Sequence, residues 1–360
     1  MTCALVIGAG PAGLMAADRL SAAGHRVIVA EAKPSPARKL LMAGKSGLNL
    51  TKDEPFDAFR EHYAEAAAPL TPMLRAFGPQ HVTAWATDLG QPVFTGSSGR
   101  VFPKSMKASP LLRAWLHHLD RQGVQLRLRW RWVGIEAGAM VFDTPDGREV
   151  VAADVTVLAC GGASWARLGS DGAWASLFDA AVLAPFQPAN MGFGVDWSPH
   201  MARHFGAPVK SVALIVGEAS HRGEFVVSER GLEGGGIYAV SRQMREGAAL
   251  YLDLLPDLSV AQVRDRLARP RGKASLSNHL RKALRLDPVK QALLSEFGRP
   301  FPDDLAPPIK RLPVRHPGPR PIDEALSTAG GPRVASLAAG RLERAVPGGL
   351  ASGGFSGWGG

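Results

Sequence analysis

The chain of 360 residues carries little cysteine: only Cys3 and Cys160, far apart and with no CxxC pair. That excludes a vicinal dithiol redox centre and a cysteine-rich zinc site. Long apolar runs are also missing, and none approaches the roughly 20 residues that a membrane-spanning helix needs. The opening MTCALVIGAG has no basic segment and no small-residue cleavage site, so no secretory leader and a cytoplasmic location are expected. The ten histidines include no HExxH pattern, and no catalytic triad stands out. Acidic residues are in deficit, 32 against 42 Lys and Arg, for a net charge of +10. The excess is scattered except in RPRGKASLSNHLRKALR, Arg269 to Arg285, which reads as a solvated helix face rather than a nucleic-acid surface. No membrane and no nucleic-acid partner is therefore expected.

What is present is an ordinary globular composition, 46% hydrophobic and 21% charged, long enough for two or three domains. Near the start stands VIGAGPAGLMAADRLSAAGHRVIVAEAKPSPARK. An apolar strand (4–7) meets a glycine turn, a helix (about 12–23) and a second strand, RVIVAE, ending in an acid. Gly8, Gly10 and Gly13 occupy the GxGxxG positions: one for the tight turn, one for close approach to a pyrophosphate, one for helix packing. Pro11 and Ala12 open the helix, whose N-terminal amides and dipole favour phosphate. Glu31 and the following Ala32 stand where a carboxylate accepts hydrogen bonds from a ribose, and where a 2′-phosphate would be repelled. Strand, turn, helix, strand and acid in this order make the signal far more specific than a lone glycine pattern.

The next segment, AKPSPARKLLMAGKSGLNLT, favours FAD over NAD. FAD is longer and needs further contacts along its pyrophosphate and ribityl chain. Arg38 and Lys39 supply positive charge. Gly44, Ser46, Gly47 and Asn49 supply amides and polar side chains. Farther along, a helix (111–121) and short strands lead to a buried strand (155–159) and the small-residue turn LACGGASW. After Pro185 the pattern changes to short antiparallel strands up to about Glu233. The stretch 237–297 reads as mostly helical, and a proline-rich segment brings the chain back. The expected organisation is a first part of a FAD-binding domain (1–184) and an inserted β-rich domain (185–236). An inserted helical domain (237–300), a return strand (301–321) and the remainder of the FAD-binding domain (322–360) follow.

With these motifs the chain resembles the bacterial BaiN/aminoacetone-oxidase-type flavoproteins, NAD(P)/FAD-dependent oxidoreductases. The resemblance rests on GAGPAGLMAA, ARKLLMAGKSGLNLT, SSGRVFPK, LACGGASWARLGSDG, GLEGGGIY, GKASLSNHLRKAL and STAGG, and reaches about Gly331. It implies an α/β fold: a Rossmann-like FAD-binding domain of the glutathione-reductase-like class, with an inserted β-barrel-like domain and a small helical domain. It also implies that Trp132 touches the adenine through its backbone, that Ala159, Cys160 and Gly161 lie beside the FAD, and that Gly330 approaches the flavin. Where many members have GGGRCN, this chain has AGKSGLN. Where they continue past STAGG into an acidic motif and a last helix, it ends RLERAVPGGLASGGFSGWGG. No acid follows Glu343, and so glycine-rich a tail does not suit a helix. The expectation is that an element closing over the cofactor is missing, with FAD loosely held.

Flavin chemistry asks for few protein acids, because the cofactor carries the redox step. Lys45, Asn49, Ser98, Arg100 and Lys104 are the polar candidates near a flavin, each better read as structural or cofactor-binding than as a base. A second dinucleotide motif is absent. NAD(P)H therefore enters as a transient electron donor, or oxygen as acceptor, with a small-molecule substrate. The alternatives are a flavin-binding protein with little turnover and an RNA-associated flavoprotein.

Overall fold

The computed structural model describes residues 2–45, 47–333, 336 and 349–351. The chain divides into two compact units, Met1–Gln187 with Thr328–Gly360, and Pro188–Ser327.

The first unit is built on a parallel sheet. Strand β1 (Cys3–Ile7) leads into helix α1 (Pro11–Ala22) and strand β2 (Arg26–Glu31). In sheet order the strands are Gly349–Ala351, Val155–Leu158, β1, β2 and Gln125–Leu128, with all pairings parallel. The near-continuous apolar runs follow from burial of both faces. Side chains alternate across a strand, so Ala4, Val6, Val27, Val29 and Val157 point to one face and Leu5, Ile7, Ala30 and Leu158 to the other. The first face packs on Leu14 and Ala17 of α1 and on Leu112, Trp115 and Leu119 of the helix Ala108–Arg121. The second packs on Trp132, Met140 and Phe142 from the antiparallel strands Arg131–Glu136 and Ala139–Thr144. Between α1 and the Ala108–Arg121 helix, the Trp115 indole donates to the buried Asp18 carboxylate at 3.2 Å, so that charge is not left unpaired.

The second unit centres on a six-stranded antiparallel half-barrel sheet. Ala207–Val216 and Ala219–Ser228 form its long hairpin. The stretch 237–297, read as mostly helical, also contains the strand Leu250–Asp253, which pairs with Ala213–Val216. That four-residue strand is too short to show a period beside its helical neighbours. Helices Val260–Leu267, Leu276–Leu284 and Pro288–Gly298 share one core with the sheet, so barrel and helices are a single packed body. The mixed α/β architecture is the one expected from the sequence.

Ser46 and most of the tail lie outside the described residues, and with them the expected loss of a closing element. Within the tail, Gly349–Ala351 is a strand parallel to Thr156–Leu158 and extends the nucleotide-fold sheet.

Candidate functional site

The candidate site lies at the carboxyl ends of β1, β2 and Val155–Leu158. The chain leaves β1 for β2 on one side, while Val155–Leu158 arrives on the other, so the strand order switches direction at β1. At such a point the connecting loops diverge and leave a crevice.

The three glycines of the turn have three different constraints. Gly8 sits at φ +103°, and a Cβ there would lie 2.3 Å from the Ala159 carbonyl oxygen. Gly13 is pressed still closer, since its Cβ would be 1.8 Å from the Gly8 carbonyl oxygen. Gly13 thus seats the helix on the glycine turn itself, not only on the strand. Around Gly10, by contrast, a Cβ would meet nothing within 4 Å. Gly10 caps α1 with no side-chain hydrogen bond, Pro11 opens the helix, and its first turn holds no acid. The helix therefore presents its orphan amides and dipole toward open space. Gly10 and Ala12 are partly exposed and Pro11 exposed, at the mouth of this space.

The acid at the end of β2 is already engaged. One Glu31 oxygen accepts from the Ala9 amide at 2.9 Å, and the other from the Lys33 amide at 2.8 Å. A carboxylate offers about four lone-pair sites, so two remain for hydroxyls. Ala32 continues the turn, half-buried. The Glu31 and Lys33 carbonyls accept from Trp130 and Arg129, which holds the next loop against the end of β2.

Distant segments converge on this turn. The Ala37 amide donates to the Ala9 carbonyl at 2.9 Å and begins helix α2 (Arg38–Ala43) from a left-handed φ of 53°. From α2, the Lys39 ammonium donates to the Ser164 hydroxyl at 2.7 Å, across 125 residues of sequence. The Arg38 guanidinium donates to Ser35, while its Nε is buried with no hydrogen-bond partner. Such an atom is costly to leave unpaired.

Of the later candidates, the Gly44 amide is spent on the Leu40 carbonyl, and a Cβ at Gly44 would fall 2.5 Å from the Ala108 Cβ. Gly44 is therefore a helix-packing glycine, and its amide is not a free donor. Gly47 packs near Met106, and Asn49 is exposed. Trp132 is buried, and its indole donates to the Gly134 carbonyl at 2.8 Å. The Ala159 amide is held by the Ile7 carbonyl at 2.8 Å. Burial, with the Glu31 and Asp171 charges nearby, pushes the Cys160 thiol up to about 12. It is a neutral packing group at the turn. Gly161 has φ +75°, and its carbonyl accepts from the Trp174 indole at 3.0 Å. Gly330, at φ +99°, is forced to be glycine by the Pro185 carbonyl, which a Cβ would approach to 2.3 Å.

Sequence reading passed over two residues here. Ser164 is fully buried under Lys39, and the Thr328 hydroxyl accepts from Ala163 at 3.3 Å. A Cβ at Gly162 would fall 1.9 Å from that hydroxyl oxygen. Both lie inside the motifs LACGGASW and STAGG, but nothing in their local spacing shows that the two motifs touch. Among the described residues no group of three or more His, Cys, Asp or Glu is placed to hold a metal ion, and no helix is long and apolar enough to cross a membrane.

A parallel sheet with a glycine turn, a free helix N-terminus and an acid at its switch point defines a dinucleotide-fold protein. Within that class, a family model described as the HI0933-like protein Rossmann domain matches residues 2–354, so the chain belongs to the HI0933-like family. The match runs past Gly331, where the resemblance of motifs ended. The chain is 29% identical over 274 residues to a 3-dehydro-bile acid delta(4,6)-reductase of Clostridium scindens, covering 72% of this chain and 66% of that protein. It thus spans just under two thirds of that relative. It is 24% identical over 294 residues to a ribosomal RNA dihydrouridine synthase of Escherichia coli, covering 77% and 70% respectively. In fold it is similar to an open-conformation flavocytochrome c3 fumarate reductase, with TM-score 0.52, 15% identity and coverage of 99% and 73%. A 3-ketosteroid-delta4-(5alpha)-dehydrogenase of Rhodococcus jostii RHA1 is similar too, with TM-score 0.50, 14% identity and coverage of 99% and 90%.

Proposed function

We propose that the chain binds FAD at the strand ends of the first unit and acts as an FAD-dependent oxidoreductase on a small organic substrate. Electrons are exchanged with NAD(P)H, docking transiently, or with oxygen. The observation that carries this reading is the glycine turn, where Gly8 and Gly13 are locked by backbone contacts while Gly10 faces open space. That combination keeps a rigid turn and leaves room for a pyrophosphate against the α1 amides.

The fit of the remaining residues supports FAD. The two free lone-pair sites of Glu31 suit ribose hydroxyls. The unpartnered Arg38 Nε gains an acceptor if a phosphate oxygen reaches it. Lys39 adds charge and, through Ser164, ties α2 to the turn at Ala159, Cys160 and Gly161. Gly47 and Asn49, with Ser46, carry the ribityl and flavin end. Trp132 flanks the adenine and Gly330 the flavin. When bound, the flavin supplies hydride and electron transfer, while the chain binds, orients and shields. Residues 1–184 and 322–360 form the FAD-binding domain, and 185–321 the insertion that selects the substrate.

The RNA-associated reading is favoured by one observation, the similarity to a ribosomal RNA dihydrouridine synthase over 77% of this chain. The experiment that tests the main reading is a visible spectrum of the purified protein, followed by anaerobic addition of NADH or NADPH and then of oxygen. A flavin spectrum bleached by either donor is expected. Folded protein that shows no binding of FAD in an equilibrium fluorescence titration overturns it.

A further inference from the structure

We infer that the helical part of the second unit carries a docking surface for the phosphate backbone of single-stranded RNA, centred on Arg269, Arg271, Lys273, Arg281, Lys282 and Arg285. This deepens the RNA-associated reading above and rests on it for the class of partner. It does not depend on flavin chemistry.

The charge is concentrated and uncompensated. Between Arg264 and Arg285 there are eight Lys and Arg against a single acid, Asp265, so this short stretch holds most of the chain's formal +10. All six central cations are exposed. Nearby, Arg264 is paired with Asp304 at 2.7 Å and Lys310 with Asp253 at 2.7 Å. None of the six makes an ion pair with a described carboxylate. The helix dipole accounts for part of this, because Arg281 and Lys282 stand in the last turn of Leu276–Leu284. It does not account for Arg269, Arg271 and Lys273, which lie in the connection before that helix. Arg285, at the left-handed cap of the same helix, adds a third cation at that end.

The helices on either side of this connection are anchored in the core of the second unit by Val263, Leu280 and Leu284. The chemistry favours a polyphosphate over a bilayer. From Arg264 to Arg285 no large apolar side chain is exposed, so nothing is available to enter an acyl layer. Four of the six cations are arginines, whose planar fork bonds phosphate in two places.

The test uses full-length protein and a fluorescent single-stranded RNA 20-mer, with binding followed by anisotropy at several salt concentrations. Two variants are compared, R269Q/R271Q/K273Q and R281Q/K282Q/R285Q, along with the sixfold combination. Substitutions at exposed positions leave the core intact, and circular dichroism checks this. As a charge-matched control, R113Q/R121Q/R127Q neutralises exposed cations of the first unit. Each triple variant is expected to weaken binding at least tenfold at 100 mM salt. The sixfold variant is expected to flatten the slope of log K against log salt by about 2–4, at about 0.7 per phosphate contact. The control should change affinity less than threefold. The inference is overturned if the control weakens binding as much as the triples, if poly-glutamate competes as well as RNA at equal charge, or if phosphatidylserine vesicles bind more tightly than RNA. Failure here leaves the flavin spectrum untouched, and a missing spectrum leaves this binding untouched.

Discussion

Gly10 and Gly13 are three residues apart in one motif, yet the structure makes opposite demands on them. A valine at Gly10 would put its Cβ into space with no atom within 4 Å, at a backbone φ of −77° that valine adopts readily. The fold should tolerate it, losing only the poorer N-cap, about 0.5–1 kcal/mol. In a unit of this size that lowers Tm by about 1–4 °C. The added isopropyl group fills the space proposed for the pyrophosphate. If it displaces two hydrogen bonds to charged phosphate, each worth about 1.5–3 kcal/mol, the loss is about 3–6 kcal/mol. FAD affinity should then fall by about 10²- to 10⁴-fold. At Gly13 even an alanine is blocked, because the obstructing atom is the Gly8 carbonyl oxygen at 1.8 Å, a backbone group that cannot swing aside. Gly13→Ala should destabilise the apoprotein by about 1–3 kcal/mol in spite of alanine's better helix propensity. The assay is thermal melting of both apoproteins beside FAD titration by flavin fluorescence. The reasoning fails if Gly10→Val binds FAD within tenfold of the parent, or if it melts lower than Gly13→Ala.

Three further outcomes are expected. Glu31→Gln leaves the Ala9 or the Lys33 amide without its acceptor and should cost about 1–3 kcal/mol in a urea melt, besides weakening FAD binding. With its thiol pushed up to about 12, Cys160 should react with iodoacetamide at pH 8 about 10³-fold more slowly in the folded Cys3→Ser protein than in urea. Because folded Cys160 keeps a proton that the unfolded chain releases, stability falls as pH rises from the unfolded thiol value of about 8.5 toward 12. Cys160→Ala should flatten that part of the pH–stability profile, and an unchanged slope would count against the assignment. Lys39→Met removes the donor to buried Ser164 and should lower FAD content on purification with little change in far-ultraviolet circular dichroism.

The glycine turn, the two strands beside it and the acid at the end of β2 were legible in the sequence, because each is a local matter. Burial of both sheet faces writes apolar runs, and a close backbone contact such as those at Gly8 and Gly13 admits only glycine. RVIVAE is a strand over its whole length, and the antiparallel character after Pro185 is equally plain. The helix Ala108–Arg121 likewise buries Leu111, Leu112, Trp115 and Leu119 on the face that its spacing marks.

What the sequence could not show is which distant motifs meet and which glycine serves which neighbour. Lys39 finds Ser164, Ala163 finds Thr328, and Gly330 gives way to Pro185 only because the fold brings segments far apart in the chain together, the last pair through two strands that hydrogen-bond to each other. Gly44 illustrates the same limit, since tertiary packing presses it against Ala108, whose amide donates to the Gly44 carbonyl, a contact that its position beside other cofactor candidates does not show. The strand Leu250–Asp253 is defined by its partners Ala213–Val216, not by any period of its own. Local propensity and pattern determine the elements and the chemistry available to them. Long-range pairing, whose contacts exist only after the chain closes on itself, decides which of those groups are already spent and which remain free to bind.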